Sequence, residues 1–173
     1  MLKSKLSPVI VLTVICICVA LALGITNALT VPVIERANAE KTAKLLRQVY
    51  PQSESFEPID PDAHKGKLPE SIIEIYLTED GGFIFKSKVK GFKPDLTVLV
   101  GVDPTGAVTD TKYLQSSETL SAEDSLDGKY AGATADGFSP EIISGATYTS
   151  EGYAQAVSDS LSAFKIMKGG SDK

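Results

Sequence analysis

Cysteine is nearly absent. The 173-residue chain holds two, Cys16 and Cys18, and both fall inside one apolar run near the N-terminus. They cannot staple a domain elsewhere in the chain, and with no third cysteine they are not expected to build a closed zinc site, which needs about four ligands. Ile15 and Ile17 precede them where a lipid-attachment signal has a small residue, so the two thiols read as small apolar groups in lipid. Histidine is scarcer still. His64 lies in the loop-like stretch Asp60-Pro61-Asp62-Ala63-His64-Lys65-Gly66 and is expected to be solvated, because neither metal ligands nor triad partners accompany it. Clustered basic residues are missing as well. The net charge is −5, and setting aside Lys3 and Lys5, the only charges before Glu35, takes the remainder to −7. An acidic domain of this kind does not suit nucleic acid, whose phosphates call for grouped Lys and Arg. The alternation in Lys86-Ser87-Lys88-Val89-Lys90 reads as the solvated face of a strand.

A long apolar run is present. From Pro8 to Thr30 the chain carries no charge over 23 residues, which as a helix would extend about 35 Å, enough to cross a bilayer and so meet membrane lipid. Lys3 and Lys5 precede it, and the positive-inside rule keeps them cytoplasmic and places the rest of the chain outside. The rival reading is a cleaved signal peptide, whose apolar region is about 7 to 15 residues long. Thr26-Asn27-Ala28 or Ala37-Asn38-Ala39 would then be the cleavage site.

The remainder reads as one domain. Ile34 to Val49 is helix-prone, with Leu45, Leu46 and Val49 as its apolar stripe. Tyr50 to Leu68 holds Pro51, Pro58 and Pro61 and is expected to be irregular. Strand patterns come next: Ile73, Ile75 and Leu77 in alternation, Phe83 and Phe85, then Leu96, Val98, Val100 and Val102, then Val108 to Leu114. Glu79-Asp80-Gly81-Gly82 and Asp103-Pro104-Thr105-Gly106 read as turns, and links this short predict an antiparallel meander. A Ser-, Asp-, Glu- and Gly-rich loop region runs on to Pro140. From Ser150 a helix is expected, with Tyr153, Val157, Leu161 and Phe164 on one face. The predicted fold is α+β: a membrane helix, an antiparallel sheet and a C-terminal helix.

Just ahead of that helix stands Ser144-Gly145-Ala146-Thr147-Tyr148-Thr149-Ser150. Hydroxyls and small residues here make an ordinary N-cap. The same place also suits a phosphate, because first-turn N–H groups and the positive end of the helix dipole favour an anion. The segment resembles the S/T-G-A-T flavinylation motif of the FMN-binding domain family, which includes the G subunit of the Rnf complex and the C subunit of the sodium-translocating NADH:quinone reductase. The resemblance implies FMN joined covalently to Thr147 by a phosphoester, with Ser144, Gly145, Ala146 and Thr149 around it. The layout is similar too: a membrane helix, then Thr30-Val31-Pro32-Val33-Ile34, then one domain with the motif near its end. The domains expected are 1–30 as cytoplasmic N-terminus and anchor, 31–70 as juxtamembrane helix and irregular linker, and 71–173 as the FMN-binding domain. Gly132-Ala133-Thr134 lacks the leading hydroxyl residue and reads as a decoy in a loop.

Two positions depart from the family pattern. Glu141 stands where Asp is usual six residues before the acceptor, and in Ser117-Glu118-Thr119-Leu120-Ser121 only Glu118 and Thr119 remain of a common E-T-P-G-L-G, both expected beside the cofactor. A threonine hydroxyl needs activation to act as a nucleophile, and no base is evident near Thr147. The resemblance therefore implies attachment in trans by an ApbE-like flavin transferase using FAD and a divalent cation. It further implies an electron-transfer subunit among other membrane subunits of an Rnf-like complex linking ferredoxin and NAD, with no turnover site of its own. The alternatives are a tethered flavinylated carrier for extracytoplasmic electron transfer, and an anchoring module without flavin.

Overall fold

The computed structural model describes residues 2–64, 66–92, 94, 96–115 and 125–169. The chain divides into two compact units, Met1–Lys41 and Thr42–Lys173.

Helix α1 (Leu2–Val49) is 48 residues long. Its stretch Ile10–Val31 is 22 residues long and apolar enough to cross a membrane, with every side chain along it exposed. Hydroxyls in such a segment need partners where water is absent. Thr26 Oγ1 donates to the Ala22 carbonyl at 2.8 Å and Thr30 Oγ1 to the Thr26 carbonyl at 2.7 Å, so both are satisfied within the helix.

The second unit is built on an antiparallel sheet in sequence order, β1 (Phe56–Ile59), β2 (Ile72–Thr78), β3 (Phe83–Val89), β4 (Leu96–Val102) and β5 (Val108–Gln115). The expected meander is there, with one more strand than the alternation revealed. β1 forms inside the proline-containing stretch read as irregular, and it tolerates Pro58 because it lies at the sheet edge and pairs only with β2. A 3-10 turn, Pro61–His64, comes after it.

Every residue of β4 is buried, because both faces of the sheet are covered. On one face Leu96, Val98, Val100 and Val102 join Ile75 and Phe85 beneath helix α2 (Thr147–Gly169). From α2 the residues Tyr153, Val157, Leu161 and Phe164 are buried to 6% exposure or less, the stripe the sequence predicted. On the other face Leu99 and Ile84 pack against Leu46, Val49 and Tyr50 from the end of α1. Gly101 permits that approach, since a Cβ there would stand 2.8 Å from Val49 Cγ1, and the Val49 carbonyl accepts the Thr109 hydroxyl at 2.9 Å. Side chains buried this fully contribute roughly 1.5–3 kcal/mol each.

Three expectations need correcting. A register shift between Ile72 and Glu74 turns Ile72 into the core and leaves Ile73 outside, so the Ile73–Ile75–Leu77 stripe is broken at its start. In the Lys86–Lys90 segment Lys88 and Lys90 are exposed as expected, but Lys86 is partly buried with Nζ 2.6 Å from Glu74 Oε1, and on the opposite face Ser87 is fully buried and shares a 3.1 Å hydrogen bond with Ser160 of α2. Helix α2 also begins at Thr147, three residues earlier than Ser150.

Candidate functional site

The approach to α2 is set by a tight turn. The Ala146 N–H donates to the Ile143 carbonyl at 3.0 Å, and Gly145, at φ +84°, takes the one position in that turn that needs a positive φ. Buried Ser150 locks the turn from the helix side. Its hydroxyl accepts the Ile143 N–H at 3.1 Å and donates to the Ala146 carbonyl at 2.9 Å. The Ser150 N–H reaches the Ala146 carbonyl at 2.9 Å as well. The N–H groups of Thr147 and Tyr148 precede it in the first turn of the helix, at the positive end of its dipole.

Thr147 is thereby the first helical residue and its side chain is exposed. It opens on a cavity of about 200 Å³ lined by Phe92, Gly145, Ala146, Thr147, Tyr148 and Thr149. The structure thus brings together four of the residues singled out in the sequence, Gly145, Ala146, Thr147 and Thr149. Thr149 is 97% buried, since only 3% of its surface is accessible, and forms the inner wall. Ser144 is exposed in the turn and is not among the lining residues. Glu118 and Thr119 lie outside the described residues. Glu141 is exposed and forms an ion pair with Lys129.

Two lining residues carry no signal in the motif itself. Phe92 and Tyr148 are 66% and 67% exposed. Phe92 arrives from the segment after β3, and Gly152 is what lets that segment come close: a Cβ on residue 152 would lie 2.6 Å from the Lys90 carbonyl and 3.2 Å from Gly91 Cα. A glycine inside an otherwise regular helix costs about 1 kcal/mol against alanine, and this is the one signal by which the sequence pointed to a close neighbour here.

Behind the motif the loop is braced by aromatics. The Glu141 N–H donates to Tyr130 Oη at 3.1 Å, and the Tyr130 ring stacks on Tyr153 with centroids 6.1 Å apart. Tyr153 Oη donates to Asp127 Oδ1 at 3.0 Å, which also accepts the Tyr113 N–H at 3.1 Å, while Lys112 Nζ stands 3.5 Å from Asp127 Oδ2. Burial pushes the Asp127 carboxyl above its ordinary range in spite of these donors. Burial and the neighbouring Asp127 charge push the Tyr153 phenol upward, so it stays a donor. The second Gly-Ala-Thr is placed quite differently: Thr134 forms a bridge with Ala107 at the entry to β5.

Chemically, the arrangement offers an accessible hydroxyl at the positive end of a long helix, a floor of small residues and two exposed rings. Among the described residues no group of three or more His, Cys, Asp or Glu gathers as a metal site. The fit to a flavin phosphate rests on the open hydroxyl and on Gly145, where even an added Cβ would meet nothing within 4 Å.

The chain is similar to the G subunit of the Na+-translocating ferredoxin:NAD+ oxidoreductase complex of Acetobacterium woodii, with 27% identity over 90% of this chain and 89% of the relative. Residues 91–162, from the segment bearing Phe92 through β4 and β5 to the middle of α2, match the FMN-binding domain. The likeness first carried by Ser144–Thr147 therefore extends across the elements that build the cavity, and residues 91–162 are similar to the FMN-binding domain family.

Proposed function

We propose that this chain is the electron-transfer subunit of a membrane-bound, ion-translocating oxidoreductase complex of the Rnf type, with FMN joined through a phosphoester to Thr147. The observation that carries the reading is the exposed Thr147 hydroxyl at the first position of α2, opening on the cavity inside the matched FMN-binding stretch. The relative from Acetobacterium woodii supports the complex.

In attachment Thr147 Oγ forms a bond to the flavin-side phosphorus of FAD as the pyrophosphate bond breaks. AMP leaves and the hydroxyl proton passes to solvent. No base flanks the threonine in the motif, so an ApbE-like transferase with its divalent cation supplies the activation. The chain's own residues then hold the phosphoester: the first-turn N–H groups and the helix dipole favour its negative charge, and Gly145 keeps the approach open. Bound there, the flavin supplies the redox chemistry while the protein supplies position and electrostatics.

The anchor reading places Lys3 and Lys5 in the cytoplasm, Ile10–Val31 in the bilayer and the flavin domain outside. The other membrane subunits of the complex are its electron partners. Residues 1–30 serve as N-terminus and anchor, 31–70 as the connection and 71–173 as the flavin domain.

The test is coexpression with a matching transferase. The denatured chain should fluoresce on a gel and gain the mass of FMN less one water, and Thr147→Val should lose both signals. Label that persists in Thr147→Val overturns the assignment. Protease added to intact spheroplasts should reach the domain, and protection of it would reverse the orientation.

A further inference from the structure

Outside the apolar helix, the described large hydrophobic side chains with most exposure are Tyr148 at 67%, Phe92 at 66%, Ile142 at 51% and Ile73 at 37%. The first three belong to the Thr147 neighbourhood. Phe92 and Tyr148 line its cavity, and Ile142 lies just before the turn that leads into it. The rest of the sheet and α2 hide their apolar groups efficiently, as the fully buried β4 shows, so an exposed pair of rings at one spot marks a place built to be covered.

Accessible rings have several conceivable occupants, but the tether decides among them. A ring system joined to Thr147 Oγ comes to rest within one ribityl chain of that hydroxyl, and the described walls shared with Thr147 in this cavity are small residues and these two aromatics. Their polypeptide paths are independent: Tyr148 rides on the first turn of α2, and Phe92 is held by the close contact of Gly152 with Lys90 and Gly91. A flat aromatic guest gains most from aromatic walls met at a ring face or edge. The described walls enclose about 200 Å³, below the roughly 300 Å³ at which pockets begin to swallow a small molecule. One side of the guest is therefore left outside the described walls.

From these observations we infer that Phe92 and Tyr148 are the two positioning residues that hold the isoalloxazine ring, Tyr148 by ring contact and Phe92 by limiting its swing, with one side of the ring left open to an electron partner. The inference rests on Thr147 carrying the flavin. It adds which side chains fix the ring and predicts an optical signature for each. A phenol in contact with an excited flavin quenches its emission by giving an electron and taking it back, with no net chemistry. A benzyl group quenches weakly, so Phe92 acts through restraint of motion.

The experiment uses the full-length flavinylated chain in detergent and compares emission and anisotropy before and after denaturation in dodecyl sulfate. Native emission should lie several-fold below that of the denatured sample, with high anisotropy. Tyr148→Phe should recover most of the lost emission while anisotropy stays high. Phe92→Ala should lower anisotropy, with far-ultraviolet dichroism unchanged because the side chain is exposed. Phe92→Tyr should restore the anisotropy. Ile73→Ala, an exposed apolar change elsewhere, should move neither signal. Absence of flavin from the denatured wild-type chain takes down the proposed function and this inference together. Flavin present, but with native emission equal to denatured or insensitive to Tyr148→Phe, overturns this inference alone. Anisotropy unchanged in Phe92→Ala overturns the part given to Phe92.

Discussion

Gly-Ala-Thr occurs twice in this chain, at residues 132–134 and 145–147, and the two copies share more than their letters. Gly132 sits at φ +80° and Gly145 at φ +84°, with open space where a Cβ would go in each case. The outcomes differ because the chain continues differently beyond each threonine. After Gly132-Ala133-Thr134 it runs beside the start of β5: the Gly132 N–H donates to the Val108 carbonyl at 2.7 Å, the Val108 N–H to the Ala133 carbonyl at 2.8 Å, and Thr134 bridges to Ala107. At Thr147 itself a 23-residue helix begins, so the threonine stands at the positive end of its dipole. A left-handed glycine and a small residue expose a hydroxyl at both places, but only at Thr147 does that hydroxyl stand at a helix start, where an anion is favoured.

The largest effect expected from this difference is in cofactor attachment. Thr147→Val should abolish covalent flavin, whereas Thr134→Val should leave it at the wild-type level, both measured by in-gel fluorescence and intact mass. Val matches Thr in shape, so a blot should show equal amounts of all three chains. Flavin found on Thr134 would erase the distinction between the two copies.

Next in size is Gly152→Ala, which has no counterpart near Thr134. A methyl group 2.6 Å from the Lys90 carbonyl meets backbone and cannot be absorbed by a side-chain rotation. Overpacking of this kind costs about 1–3 kcal/mol, read as a lowered denaturant midpoint. Because the displaced segment carries Phe92, flavin anisotropy should fall as well. An unchanged midpoint would mean that α2 and the Lys90–Phe92 segment part without cost.

The two glycines make a closer comparison. Gly145→Ala and Gly132→Ala each force a β-carbon into the left-handed region at a cost of about 1 kcal/mol, with no steric clash to add. The two midpoints should therefore shift together, while flavin yield falls for Gly145→Ala alone. Equal yields would show that the turn ahead of Thr147 need not keep its present path for the transferase.

Much of this was legible from the sequence because period and punctuation agreed. The α2 stripe of Tyr153, Val157, Leu161 and Phe164 and the β4 alternation are local patterns whose burial requires only one packed layer on each side. Thr147 stood out through the resemblance of Ser144–Thr147 to a family motif, and the cavity walls Gly145, Ala146 and Thr149 are close to it in the chain. The β2 slip at Ile72–Glu74 was not, since three consecutive residues Ile72, Ile73 and Glu74 fit either register until β3 fixes one. β1 was hidden by Pro58, which argues against a strand except at an edge. Phe92 reaches the cavity through a tertiary contact, and Tyr148 occupies a position of the motif segment that carries no signal of its own.

The smallest predicted effect concerns the brace between the two Gly-Ala-Thr segments. Asp127 opens the chain segment that leads to Gly132, and it accepts the hydroxyl of Tyr153 from the helix that Thr147 begins. Burial raises its carboxyl, outweighing the Tyr113 N–H, the Tyr153 hydroxyl and Lys112. A raised folded value means that the folded chain retains a proton which the unfolded chain releases. The associated stability is fully present below the unfolded carboxylate value of about 3.9 and is lost as pH rises through the folded value. Asp127→Asn keeps an acceptor for Tyr113 and Tyr153 but no longer titrates. The stability of wild type relative to Asp127→Asn should therefore decline as pH rises from about 3.9 toward neutrality, measured by denaturant midpoints at matched ionic strength. Covalent flavin should be unaffected, because the brace positions the loop and touches no atom of Thr147. A relative stability that instead rises across this window would show Lys112 outweighing burial and would make Asp127 an ion-pair partner before all else.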